Sequence, residues 1–204
     1  ATHIGGLTIH SWSGIGIKKS LTKYDLDKIA SLEYVAKRVR RTKILIIDEV
    51  SMLAPETLLM VDAVCREVRQ SREPFGGLQV VFVGDFFQLP PVVRASDAHL
   101  AVQPPSRVQT IFYDEPPAIF AYDSPVWKRS ALITCYLTEQ YRQDDDKFLA
   151  VLSAIRDNSF SEHHLEHLTT RHVFDREVPA DVPKLYSRNI DVDRVNDDTL
   201  ESID

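Results

Sequence analysis

Basic residues are the minority charge in this 204-residue chain: 24 Lys and Arg stand against 30 Asp and Glu, a net charge of −6. That balance excludes a surface positive over a whole face, so any contact with nucleic acid has to be local. Cysteine is scarce as well. Cys65 and Cys135 are too few for a disulfide framework and lie in apolar-rich segments, so both are expected to be buried thiols of a reducing compartment. Of the seven glycines, none precedes a Lys followed by Ser or Thr. These residues therefore contain no G-x-x-x-x-G-K-[ST] loop, the element that cradles nucleotide phosphates with backbone N–H groups. No apolar run approaches the roughly 18 residues a membrane span needs. The opening "ATHIGGLTIH" has no Met, no basic region and no apolar core. No signal peptide is expected, and the chain is expected to begin inside a longer protein.

What is present is an alternation of apolar runs and helical stripes. Residues 1–16 are Gly-rich around "LTIHSW", which reads as a short strand-like run between turns. Residues 20–42 read as one helix: Leu32, Val35, Ala36 and Val39 follow the i, i+3, i+4, i+7 stripe, and Thr22 with Asp25 resembles a capping box. "ILII" (44–47) and "LQVVFVG" (78–84) lack polar alternation, the pattern of strands covered on both faces. Between them Pro55 opens a helix with Leu58, Val61, Cys65 and Val68 on one face, and "PFGG" (74–77) ends it. The stretch from Val93 to Pro125 looks loop-like. "ALITCYL" (131–137) and "KLYS" (184–187) are expected to be further strands. Helices are expected near 146–157, with Phe148, Leu149, Leu152 and Ile155 inward, near 162–170, and finally around Val192, Val195 and Leu200. Strands alternating with helices predict an α/β fold with a parallel sheet, in which ligands bind beyond the carboxyl ends of the strands.

That rule makes two strand ends interesting. Asp48 and Glu49 follow the first apolar strand, and Asp85 and Gln88 follow the second. Nucleotide hydrolysis needs a divalent cation on the phosphate oxygens, a group that orients the attacking water, and donors for the charge that builds on the γ-phosphoryl. Asp48 suits the cation, Glu49 the water and Gln88 the γ-phosphate. The competing explanation is that an Asp-Glu pair merely caps the next helix; "GDFFQLPPV" at the end of the other strand tips the balance toward function.

Four segments carry a more specific likeness. "IGGLTIHSWSGIG" (4–16), "LIIDEVSM" (45–52), "PFGGLQVVFVGDFFQLPPV" (74–92) and "LTEQYRQ" (137–143), in this order and spacing, resemble the successive motifs of the PIF-type (petite integration frequency) DNA helicases, superfamily 1 motors of the 5′-to-3′ group. "FAYDSPVWK" (120–128) and "LYSRNIDVDRVN" (185–196) are also similar, so the likeness spans nearly the whole chain. It implies a RecA-like parallel sheet, with residues 1–136 as most of a first motor domain and 137–204 as the beginning of a second. Residues 17–42 occupy the slot of a small strand-separating wedge. ATP and Mg²⁺ are the implied cofactors and single-stranded and forked DNA the implied partners, in an intracellular setting that is nuclear or mitochondrial in a eukaryote.

The resemblance also assigns roles. Asp48 would hold Mg²⁺, Glu49 would be the catalytic base, Gln88 the γ-phosphate sensor, and Arg142 an arginine reaching the γ-phosphate from the domain junction. Without the family, Arg142 is better read as a surface partner of the acidic run Asp144–Asp146. Thr8, His10 and Ser11 match the motif that touches single-stranded DNA; for Trp12, packing in the core is favoured over stacking on a base. The run "KRVRRTK" (37–43) fits phosphate binding and neutralisation of a helix carboxyl end equally well. The histidines of "SEHHLEHLTTRH" are read as a solvated helix rather than a metal site. Two alternatives stay open: a non-catalytic remnant that binds DNA or protein, and an ATPase that does not act on DNA.

Overall fold

The computed structural model describes residues 5–92, 120–141, 143–174, 178–179 and 182–201. The chain divides into two compact units, residues 1–137 and 138–204.

In the first unit the run "LTIHSW" is helical rather than extended. Helix α1 spans Ile9–Ser13, because the Thr8 hydroxyl accepts the Ser11 N–H and Gly14, at φ 78°, ends the helix in the left-handed conformation. The expected single helix over 20–42 is two. Helix α2 (Lys23–Ser31) begins with the Thr22–Asp25 capping box, whose reciprocal hydrogen bonds hold the Asp25 carboxyl well below the usual carboxylate range. Leu32, extended at ψ 108°, separates it from α3 (Glu33–Arg41). The anticipated stripe survives the break, since Val35, Ala36 and Val39 are buried.

Strand β1 (Ile44–Ile47) then pairs with β2 (Gln79–Phe82) in parallel, Ile44 opposite Gln79 and Ile47 opposite Phe82. Between them runs α4 (Pro55–Arg69), with Pro at its first position and Leu58, Val61, Cys65 and Val68 buried as the periodicity requires. Burial pushes the Cys65 thiol up to about 12, with the nearby Asp62 carboxylate adding to the shift, so this cysteine is chemically inert. Cys135, expected to be buried too, is exposed.

Among the described residues, the strands are covered on one face. Leu45 and Ile47 face the core, while Ile44 and Ile46 are 51% and 64% exposed, and Val81 of the neighbouring strand and Val83 just past its end are each about 40% exposed. The absence of polar alternation thus marks a sheet that is apolar on both sides, only one of which the described residues cover. "ALITCYL" and "KLYS" form no strand here: Ile133, Leu137 and Leu185 are each more than 90% exposed. A β segment without a hydrogen-bonded neighbour has nothing to hold it, however well its composition suits one.

A buried carboxylate organises the turn into β2. Asp62 of α4 accepts the Phe75 N–H at 2.7 Å and lies 3.6 Å from the guanidinium groups of both Arg66 and Arg129. Arg69 donates to the Gly76 carbonyl at 2.8 Å. Gly76 is obligatory: its φ is 63°, and an added Cβ would lie 2.7 Å from the Cys65 carbonyl oxygen. "PFGG" is therefore a clamp that fixes β2 against α4. Asp62→Ala leaves the Phe75 N–H buried without its acceptor, and the intact protein is expected to lose about 2–3 kcal/mol in urea unfolding. A midpoint equal to wild type would show that the clamp carries no stability.

After β2, residues 93–119 lie outside the described residues, and with them most of the anticipated loop. A short 3-10 turn (Ala121–Asp123) and α5 (Pro125–Arg129) close the first unit.

The second unit holds α6 (Asp146–Arg156), α7 (Glu162–Thr169) and α8 (Asn189–Glu201). All three helices were expected, but the buried face of α6 is Val151 and Ala154; Leu152 and Ile155 are exposed and Phe148 and Leu149 half-buried. Among the described residues α6 packs chiefly on α7, a short helix with no buried residue of its own. Asp145 caps α6, accepting from the Lys147 and Phe148 N–H groups, and pairs with Arg171 at 3.3 Å; those backbone donors, Phe148 foremost, hold its carboxyl below the usual range. No helix among the described residues is long and apolar enough to cross a membrane.

Candidate nucleotide and DNA site

Because β1 and β2 are adjacent and parallel, their carboxyl ends emerge on the same side of the sheet. The backbone beyond them is stitched together: the Val83 N–H donates to the Ile47 carbonyl at 2.8 Å, and the Val50 N–H donates to the Val83 carbonyl at 3.0 Å. Asp48 and Glu49 are the two residues bracketed by those bonds. Both are exposed. Glu49 adopts φ 54°, ψ 44°, a left-handed conformation that a residue with a side chain enters at a cost. Its N–H is turned back onto an oxygen of Asp48 at 2.9 Å. A strained residue held at a strand end by its neighbours is the sort of feature that function retains.

The crossing depends on Gly84. A Cβ there would stand 2.9 Å from the Val50 nitrogen and 3.0 Å from Val50 Cγ1, so only glycine lets the segment after Glu49 pass over the end of β2. No spacing rule assigns Gly84 this role; its signal is a position directly after an apolar strand.

Past Gly84 the chain folds on Asp85. Its carboxylate accepts the Phe87 N–H and the Gln88 side-chain amide, both at 3.1 Å, and its carbonyl accepts the Gln88 N–H at 3.0 Å. Gln88 is thus aimed by Asp85, with one amide hydrogen and its carbonyl oxygen left over. Phe86 anchors the same loop. Its ring packs edge-on against Phe120, Tyr122 and Trp127, while Trp127 stacks on Phe82 at 4.6 Å. The "FAYDSPVWK" segment is therefore the aromatic socket that seats the Gln88 loop on β2, which its sequence alone did not reveal.

Thr8, His10 and Ser11 sit on and just before α1, all exposed, while Trp12 is buried in the core as anticipated. Arg38 ties this corner down, donating to the Ser11 and Trp12 carbonyls at 2.9 Å each and lying over the Tyr34 ring. Arg38 and Arg40, which donates to the Val68 carbonyl at 3.3 Å, therefore have structural duties within "KRVRRTK". Arg142 lies outside the described residues. The histidines of α7 gather no metal-binding group of three or more ligands among the described residues; His164 instead caps its own helix through Ser161.

Comparison with known proteins places this geometry. The family model described as PIF1-like helicase matches residues 1–165. An ATP-dependent DNA helicase Pif1 of Psychrobacter sp. (strain PRwf-1) is 37% identical over 208 residues, covering 98% of this chain and 29% of the relative. A structure of two coordinating Pif1 helicases unwinding forked duplex DNA superimposes with a TM-score of 0.78 at 33% identity, over 98% of this chain and 45% of that one. A Bacteroides Pif1 helicase in complex with ADP-AlF3 and single-stranded DNA gives 0.73 at 30% identity, over 100% and 45% of the two chains. This chain thus spans less than half the length of each, and the anticipated α/β, RecA-like architecture is the one it shares with them.

Proposed function

The chain belongs to the PIF1-like helicase family, and from that premise we infer that the protein it forms part of is an ATP-dependent DNA helicase. ATP closes a cleft between two RecA-like domains and its hydrolysis reopens it, stepping the motor along single-stranded DNA at a fork. Residues 1–136 supply most of the first motor domain, 17–42 its strand-separating insertion, and 137–204 the beginning of the second. The observation that carries the reading is the in-register parallel pair β1–β2, whose carboxyl ends deliver Asp48, Glu49 and the Gln88 loop to one side of the sheet.

The donor set fits Mg²⁺. One Asp48 oxygen accepts the Glu49 N–H and the carboxylate is otherwise exposed, leaving oxygen for a cation that keeps several waters and needs only one or two carboxylates beside the phosphates. When bound, the ion neutralises charge on the β- and γ-phosphate oxygens. Glu49 aligns water and takes its proton. Gln88, braced by Asp85, donates its remaining amide hydrogen to the γ-phosphate and loses that bond after hydrolysis. Arg142 stabilises the charge that develops there. On the DNA side, the Thr8 hydroxyl already accepts the Ser11 N–H and keeps its own hydrogen for a phosphate oxygen; His10 and the Ser11 hydroxyl supply further donors.

Hydrolysis by the intact protein should rise with added single-stranded oligonucleotide; a rate indifferent to DNA would place the chain among ATPases of other work. The 204 residues alone contain no phosphate-cradling glycine loop, so they are expected to show no measurable ATPase. Mg²⁺-dependent turnover from a clean preparation would overturn that expectation.

A further inference from the structure

Arg38 and Arg40 are held by backbone carbonyls, but Lys37 and Arg41 make no hydrogen bond or ion pair among the described residues. Both line an open groove of about 560 Å³ together with Arg40, and Glu33 is the one carboxylate in its wall. Three cations against one anion is a local reversal of sign in a chain whose net charge is −6. The helix dipole accounts for Arg41 in the last turn of α3, but its influence fades within a turn, and Lys37 stands at the middle of the nine-residue helix. Glu33 and Lys37, four apart with the acid first, are placed to pair along the helix and yet form no ion pair. The cations face the groove, not each other's counter-charges.

We propose that this groove is a second phosphodiester-binding surface, in which Lys37 and Arg41 contact a nucleic-acid backbone separately from Thr8, His10 and Ser11. It rests on the helicase reading for the identity of the polymer, and on the groove alone for its position. Arg40 contributes charge while its Nε remains tied to Val68. Such contacts carry no sequence information; they set grip and its dependence on salt.

The test uses the intact protein with Lys37→Ala and Arg41→Ala combined, leaving Arg38 and Arg40 in place. Affinity for a labelled fork and for a labelled single strand is measured by fluorescence anisotropy between 50 and 300 mM salt, roughly the range over which counterion release is read. Loss of two phosphate contacts should lower the slope of log affinity against log salt by about 1.4–1.8 and weaken binding by roughly 25- to 60-fold at 100 mM. A drop on the fork alone assigns the groove to duplex, and a drop on both assigns it to single strand; either supports the proposal. Lys37→Glu with Arg41→Glu should deepen the loss. Unchanged slopes on both probes overturn it, as does unchanged DNA binding with lost affinity for polyglutamate, which would make the groove an acidic-protein site. A wild-type ATPase that ignores DNA sinks the helicase reading itself, a result separate from these.

Discussion

Replacing Glu49 by Gln in the intact protein is expected to lower DNA-stimulated ATP hydrolysis by about 10²–10⁴-fold, the usual contribution of a positioned general base, with nucleotide binding retained. Gln preserves the length and the backbone conformation at φ 54°, so the strain at this residue is the same in both proteins and cannot cause the difference. Glu49→Gly gives the complementary result. Removing the side chain relieves a left-handed strain of roughly 1–2 kcal/mol against roughly 0.5–1 kcal/mol of added chain entropy, so the inactive protein should be as stable as wild type or slightly more so. Steady-state ATPase, a nucleotide-binding titration and urea unfolding on the three proteins separate the cases. Turnover near wild type in the Gln variant would remove Glu49 from the chemistry.

Gly84→Ala is expected to damage both fold and activity. The new methyl would meet the Val50 nitrogen and Cγ1 at 2.9 and 3.0 Å, and Val50 is buried and pinned by its hydrogen bond to Val83. The crossing segment has to lift, at about 1–3 kcal/mol for an overpacked contact. The lift carries Asp48 and Glu49 with it, and a displacement near 1 Å at a reacting centre costs on the order of 10² in rate. Thermal melting and kcat should therefore fall together. An Ala variant with wild-type kcat would mean that the strand-end crossing does not set the position of the acidic pair.

The elements legible in the sequence were those whose signal is local. The α4 stripe, Pro55 at its start and the Thr22–Asp25 box are decided by residues within one or two turns, and each is found where expected. "ALITCYL" and "KLYS" have the composition of strands and form none, because a strand is a relation between segments and composition says nothing about whether a neighbour is present. "LTIHSW" went the other way: β-prone Thr and Ile yielded to the Thr8 cap and the left-handed Gly14. For the proposed site, the placement of Asp48, Glu49 and Gln88 just past two apolar strands is legible in the sequence. Their support is not. Asp62, Gly84 and the ring cluster around Phe86 act across 13 or more residues of chain or through a backbone crossing, which no spacing rule reports.

The bare side of the two-stranded sheet has a consequence. Ile44, Ile46, Val81 and Val83 form an oily patch bordered by strand edges whose amides have no ladder partner among the described residues. An apolar face beside open strand edges is a template on which another β segment can pair, so this side of the sheet is where a further strand or a covering helix would dock.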